Sequence, residues 1–336
     1  MSRIGTSYVV RRLLVFFFVI WATASVNFLV PRLAPGDPMA ATLARLSMGS
    51  DRVEDGAEII EQYREKFGLD QSLAVQYLKY LGAVARFDFG YSLASFPSRV
   101  MEIIGRALPW TVGLLLTTTI ISFALGILLG ALVAWRSGER FVEFLAAPFI
   151  VLAAIPYYLL ALLLVYALSF GLHLFPSGGT TRIGATMEWS LPCILDILHH
   201  SILPALSIIL SSIGGRMISM RSMMVKVMES DYLTLARAKG LPDGRVFLWY
   251  AARNAILPEI TTLGISLGFV VSGATLVEVV FSYPGIGYQL YRAIGNSDFN
   301  LIQGITLIMV ISVATAILVL DLIYPRLDPR ITYTDK

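Results

Sequence analysis

An all-α membrane protein with six transmembrane helices is the fold class this sequence predicts, on three observations. Of its 336 residues, 56% are hydrophobic and only 15% are charged, against about 45–50% and roughly 25% in an ordinary soluble domain. The mean hydropathy is +0.72. The apolar residues also gather into six uncharged blocks on the scale of a membrane helix, about 20 residues. A soluble enzyme, a disordered chain and a disulfide scaffold are thereby excluded. The lone Cys193 cannot form an intrachain disulfide, and His173, His199 and His200 are too few for a rich metal site. A net charge of +3 is too small to suggest a nucleic-acid partner.

The first block covers residues 13–30. Arg11-Arg12 and Ala22-Thr23-Ala24 also fit a cleavable signal peptide, but the apolar run continues through Asn27 to Val30, which favours an uncleaved anchor. Residues 32–106 are too long for a simple connection and too polar to span. Ile59, Tyr63 and Phe67 recur every four residues and predict an amphipathic helix there. Leu73, Tyr77, Leu81 and Val84 predict a second, with Gly68-Leu69-Asp70 as the break. Aromatic residues at helical spacing are read as packing, so this segment is expected to cap the outer mouth. The second and third blocks cover residues 107–135 and 144–172. The fourth, 201–215, is short, but a helix from about His199 to Met220 would cross, with Pro204 and Gly214-Gly215 tolerated inside a bundle. His199-His200 at its outer end reads as an interfacial pair without a third metal ligand. The fifth and sixth blocks cover 260–277 and 301–320, and a short helix over 288–294 is expected between them.

Lysine and arginine in the short loops set orientation. Arg3, Arg11 and Arg12, then Arg136 and Arg140, then Arg216, Arg221, Lys226, Arg237, Lys239, Arg245 and Arg253, and finally Arg326, Arg330 and Lys336 fall on one side. The two short loops on the other side carry Arg182 and Arg292. Both termini are therefore expected in the cytoplasm.

No charged residue interrupts the centre of any block, which argues against an ion-coupled pump or carrier, since a charge there costs about 2.5–3.5 kcal/mol and is retained for function. Glu278 and Asp321, at the edges of the fifth and sixth blocks, read as interfacial or paired carboxylates. Thr117 to Thr119, Ser122, Ser207, Ser211, Ser212, Thr261, Thr262, Ser266 and Ser272 either line a wet path or bond between helices. No G-x-x-x-x-G-K-[ST] motif occurs, and the dipeptide Gly-Lys is absent, so any energy for active transport must arrive through another chain.

A docking surface for such a chain is legible between the fourth and fifth blocks. Ser230 or Asp231 can cap a helix over 232–239, Lys239 complements its dipole, and Gly240 is placed to stop it. Small Ala236 and Ala238 would let another surface approach. Pro242-Asp243-Gly244 turns the chain, and an amphipathic stretch from Val246 returns it to the membrane near Pro258. The same pattern also suits a helix lying on anionic headgroups.

Asp231-Tyr232-Leu233-Thr234-Leu235-Ala236-Arg237-Ala238-Lys239-Gly240, followed by Arg253-Asn254-Ala255-Ile256-Leu257-Pro258, resembles the cytoplasmic signature loop of binding-protein-dependent ABC importer permeases. It is most similar to the dipeptide/oligopeptide/nickel branch. The Glu-Ala-Ala opening of the wider family is replaced by Thr234, Leu235 and Ala236, and the spacing from Gly240 to Pro258 exceeds that of sugar permeases; both departures are usual for this branch. The resemblance extends over nearly the whole chain, through Pro35-Gly36-Asp37-Pro38, Phe67-Gly68-Leu69-Asp70, Gln76-Tyr77, Asp88-Phe89-Gly90-Tyr91-Ser92, Phe281 to Gly287, and Asp328-Pro329-Arg330-Ile331.

The resemblance implies a type I ABC importer permease fold in the inner membrane. The expected parts are a transmembrane helix over 1–31, an extracytoplasmic helical segment over 32–106, a five-helix core over 107–324 with a coupling loop at 221–258, and a cytoplasmic tail over 325–336. Implied partners are a second homologous permease, two ATPase subunits, an extracytoplasmic substrate-binding protein and the lipid bilayer, with no nucleic acid. The chain itself is expected to be no enzyme and to bind no cofactor; ATP and Mg act on the ATPase subunits, which drive alternating access. Within a docking surface that includes Asp231, Tyr232 and Thr234, Ala236 and Ala238 would pack closely in the ATPase groove, while Arg237 and Lys239 would bond to its rim. Gly240 would end the helix, and Arg253, Asn254 and Pro258 would tie the loop to the fifth span. Di- or oligopeptides are the expected substrates, with oligosaccharide or nickel as the alternative. A stand-alone channel or secondary carrier is the rival from another class, and an intramembrane enzyme is disfavoured because no catalytic pair lies at membrane depth.

Overall fold

The computed structural model describes residues 6–33, 71–92, 94–182 and 190–327. In chain order the helices are α1 (Thr6–Leu33), α2 (Leu73–Ala85), α3 (Val100–Trp135), α4 (Arg140–Ala153), α5 (Tyr157–Leu164), α6 (Leu191–Met228), α7 (Asp231–Ala238), α8 (Arg253–Gly268), α9 (Thr275–Val280), α10 (Ile286–Gly295) and α11 (Phe299–Leu327). The helix expected around Ile59, Tyr63 and Phe67, the turn at Pro35-Gly36-Asp37-Pro38 and the tail motif from Asp328 lie outside the described residues.

Among the described residues, five helices are long and apolar enough to cross a membrane: Ser7–Val30, Val100–Trp135, Leu191–Met228, Asp243–Ser272 and Phe299–Ile323. The bent pair Arg140–Ala153 and Tyr157–Gly171, turning through 104°, makes a sixth if it is one span. That bend corrects the expectation of a continuous third helix. Pro156 has no N–H to donate to Leu152 and disfavours helical geometry at Ile155, so α4 ends and Pro156 begins the next helix. The fourth helix is far longer than its apolar block. At 38 residues and 1.5 Å per residue it is about 57 Å long, well beyond the ~30 Å hydrocarbon layer. Asp196 and the histidines at one end, and Arg216, Arg221 and Lys226 at the other, end the apolar run without ending the helix. The fifth span also starts early, at Asp243, so Pro258 lies inside a helix rather than at its entry. Gly273, at φ +80°, closes that helix before α9.

The chain forms two compact units, residues 1–109 with 285–336, and residues 110–284. In the first, α1 and α11 run antiparallel. Tyr8 donates to the Asp321 carbonyl at 3.2 Å, and Arg12 pairs with the Asp321 carboxylate at 3.0 Å. Further along, Asn27 donates to Thr306 Oγ1 at 2.9 Å, and Gln303 donates to the Asn27 carbonyl at 2.9 Å. Such bonds lend direction to helix contacts that lipid-like surfaces alone leave unspecific. Asp298 is fully buried and caps α11 through the Leu301 N–H at 3.1 Å. The same carboxylate accepts from the Ser92 hydroxyl and the Ala94 N–H, which fixes the segment around Asp88-Phe89-Gly90-Tyr91-Ser92 onto α11.

Helix α2 is the second amphipathic helix predicted before the second block, and its inner face packs on α1. Tyr77 bonds Ser25 at 2.7 Å, and the Tyr80 ring lies 5.5 Å from Phe28. The Tyr80 hydroxyl is buried without a hydrogen-bond partner among the described residues. Burial pushes its phenol up to about 12, while the charge of Arg32 opposes the shift. A phenol raised above its ordinary 10.0 favours the fold below pH 10 and forfeits stability as the unfolded chain ionises between pH 10 and about 12. Tyr80→Phe keeps the ring contact and removes a hydroxyl that has no partner among the described residues. It is expected to stabilise the protein by about 1 kcal/mol and to flatten that alkaline loss, both read from melting temperature against pH in detergent.

In the second unit, glycine allows the closest helix approach. A Cβ on Gly126 would lie 2.6 Å from Arg216 Cβ, and one on Gly130 would lie 2.4 Å from the Met217 carbonyl oxygen. Gly126 and Gly130, four residues apart, thus bring α3 against the backbone of α6, the small-xxx-small packing that membrane helices favour. Gly214 does the same between α6 and α4.

Candidate functional site

Helix α7 is short and amphipathic, and its apolar side decides how it sits. Leu233 and Ala236, three residues apart, are 0% and 3% exposed. They join Ala131 and Ala134 of α3, Met220 and Met224 of α6, and Val246, Ala251 and Ala255 in one apolar cluster. Ala236 therefore does not offer the small docking face expected of it: its methyl faces the chain's own core. Asp231, Tyr232, Thr234, Leu235, Arg237, Ala238 and Lys239 are exposed.

Both ends of α7 are defined by backbone geometry. Ser230 takes the extended conformation of a capping residue, but its hydroxyl turns back to the Val227 carbonyl and does not cap the helix. At the other end Gly240, at φ +73°, donates to the Arg237 carbonyl at 2.9 Å, and Leu241 donates to the Ala236 carbonyl at 3.4 Å. Those paired bonds form a Schellman stop, with Leu241 folding onto the same apolar cluster as Ala236. Lys239 sits one residue beyond the helix, at its C-cap.

The sequence reading missed Trp135, the last residue of α3. Its indole N–H donates to Asp243 Oδ2 at 3.0 Å, its ring lies 5.2 Å beneath the Arg237 guanidinium, and it packs 5.3 Å from Phe247. Arg237 is thus engaged within the chain. The partners of Arg253 and Asn254 lie on their own helical segment: Arg253 sits over Trp249 at 5.9 Å, and Asn254 donates to the Tyr250 carbonyl at 2.7 Å. Pro258 is exposed on α8. Trp135 and Asp243 join the end of α3 to the start of the Asp243–Ser272 helix.

Among the described residues of the second unit, two carboxylates are buried. Glu278 is fully buried and accepts from Thr111 at 2.7 Å. Glu259, 3% exposed, accepts from Ser219. Glu259 lies inside the Asp243–Ser272 helix, one residue before the apolar block that begins at residue 260. Thr118, Ser122, Ser207, Ser211, Thr262, Ser266 and Ser272 donate to carbonyls three or four residues back in their own helices. His200 is buried against Asp196, with Nδ1 2.8 Å from the Asp196 carbonyl, and His199 Nε2 lies 3.3 Å from the Leu174 carbonyl. Among the described residues no group of three or more His, Cys, Asp or Glu side chains is placed to hold a metal.

Residues 126–333 match the family model for the binding-protein-dependent transport system inner membrane component. The chain belongs to this family. The permease is 33% identical over 327 residues to the oligopeptide transport system permease protein AppB of Bacillus subtilis, covering 97% of this chain and 99% of that one. It is 32% identical over 330 residues to the probable D,D-dipeptide transport system permease protein DdpB of Escherichia coli, covering 93% and 94%. It is 33% identical over 332 residues to the glutathione transport system permease protein GsiC of Salmonella paratyphi A, covering 97% and 99%. It is a multi-pass membrane protein, and the matched residues include α7, α6 and the end of α3.

Proposed function

We propose that this permease forms half of the pathway of an ATP-driven importer of di- or oligopeptides. The other half is a second, homologous permease. Two ATPase subunits dock on α7, and an extracytoplasmic binding protein delivers the substrate. ATP and Mg belong to the ATPase subunits. The basic residues of the short loops support a cytoplasmic location for both termini and α7, with residues 32–106 on the opposite side and residues 325–336 as the cytoplasmic tail. The observation that carries this reading is α7 itself. One side is anchored in the core through Leu233 and Ala236, while Tyr232, Thr234, Leu235, Ala238 and Lys239 remain exposed for a partner. The peptide assignment rests on the oligopeptide, dipeptide and glutathione permeases to which the chain is similar.

Pushing an anchored helix moves what it is anchored to. Closure of the ATPase pair displaces α7, and the apolar cluster passes that displacement to α3 and α6, opening the pathway outward; hydrolysis reverses it. Purification from native membranes in mild detergent, followed by mass spectrometry, tests the assembly. Two ATPases and a second permease are the expected companions. A chain that remains intact, folded and alone under the gentlest extraction overturns the proposal in favour of a stand-alone channel or carrier.

A further inference from the structure

The buried contacts of α7, through Leu233 and Ala236, are apolar. Such contacts resist separation, but they have no direction and oppose sliding or rotation weakly. Trp135 supplies direction. It meets the chain on both sides of the Gly240–Pro242 turn: Arg237 before it, and Asp243 and Phe247 after it. The Arg237 guanidinium lies within the ~6 Å range of a cation–π contact, and the indole bond at 3.0 Å to Asp243 fixes the ring edge. Trp135 in turn stands on a firm base, because Gly126 and Gly130 earlier in α3 are in backbone-level contact with α6.

From this arrangement we infer that Trp135 is a positioning residue for coupling, the side chain that makes α7 and the segment after its turn move as one body with α3. The inference rests on the reading of α7 as the ATPase docking helix. In this role the Trp135–Asp243 bond and the Trp135–Arg237 contact keep a push on α7 from being spent in rotation about its own axis, and they deliver it to the long helices.

The test uses the complete transporter in liposomes with its binding protein, measuring substrate uptake and ATP hydrolysis together. Trp135→Ala is expected to leave the ATPases bound at wild-type stoichiometry and to lower uptake per ATP by about tenfold, the combined size of a hydrogen bond and a cation–π contact. Trp135→Phe and Asp243→Ala each remove the same hydrogen bond and are expected to lower the ratio by about threefold. The double variant is expected to be no worse than either, because the two changes remove one interaction. Asp243→Asn, which keeps an acceptor oxygen, is expected to restore the wild-type ratio. Should Trp135→Ala fail to accumulate, the milder pair and its double variant carry the test. An unchanged ratio overturns the inference, as do multiplicative losses in the double variant. Loss of the ATPases from Trp135→Ala, with a normal ratio in Trp135→Phe and Asp243→Ala, overturns it too and makes Trp135 part of the docking platform only. A wild-type complex that carries no ATPases removes the docking reading itself, and the inference with it.

Discussion

Gly240→Asp is expected to leave the permease inserted in the membrane at wild-type levels and to abolish both transport and its coupling to ATP hydrolysis. The reason lies in the backbone. Gly240 holds φ at +73°, and a Cβ added there would meet nothing within 4 Å, so steric crowding contributes nothing. The backbone penalty is about 1–2 kcal/mol for an ordinary side chain in left-handed geometry and smaller for aspartate or asparagine, which visit that region more readily. Aspartate also sets a negative charge at the negative end of the α7 dipole, an unfavourable position. These costs are small against insertion, which is driven by the long apolar helices. They are large for a helix of eight residues whose stop consists of two backbone bonds, to the Arg237 and Ala236 carbonyls. A graded series separates the causes. Gly240→Asn, which tolerates left-handed geometry and carries no charge, should retain most transport. Gly240→Val should lose as much as aspartate, since a β-branched residue is the poorest fit to positive φ. Immunoblots of membranes, uptake, and ATPase activity stimulated by the binding protein are the measurements. Degraded Gly240→Asp protein would show that the turn serves folding, and intact transport would show that the helix stop is dispensable.

The elements legible in the sequence are those a bilayer dictates. Uncharged blocks of spanning length located the membrane helices, because a lipid-exposed backbone must be satisfied within its own helix. Gly240 was legible for a similar reason: little but glycine ends a helix in left-handed geometry at low cost. Helix ends were not legible where charge and helix part company, as along α6, whose ends pass from apolar residues into Asp196 and Lys226 without a break. The bend at Pro156 was concealed by the apolar residues on both sides, although proline itself is the cause. The burial of Ala236 could not be read locally, since a stripe of Leu233 and Ala236 looks the same whether it faces a partner or its own chain. Trp135 and Asp243 are 108 positions apart, so no local pattern joins them.

Gly214→Ala is expected to destabilise the folded permease, and Gly215→Ala beside it is not. The two glycines are adjacent in α6, yet their surroundings differ completely. A Cβ on Gly214 would lie 2.2 Å from the Phe149 carbonyl oxygen, 2.6 Å from Ala153 Cβ and 2.9 Å from the Phe149 carbonyl carbon. Two of those atoms are backbone and the third is fixed to it, so α4 and α6 would have to separate. Overpacking of this kind costs about 1–3 kcal/mol, and a separated pair also gives up the close dispersion contacts that hold membrane helices together. Nothing lies within 4 Å of a Cβ on Gly215, so alanine there gains helix propensity, about 0.5–1 kcal/mol. Melting temperatures in detergent, followed by loss of the monodisperse peak, should therefore move in opposite directions for the pair. The comparison cancels what the two substitutions share: one added methyl, one helix, one detergent. Equal shifts would mean that the approach of α4 to α6 at Gly214 is not what holds these helices together. Opposite shifts would place a rigid contact at the very end of α4, just before the chain turns at Pro156. The 104° bend would then pivot on a helix that cannot itself give way.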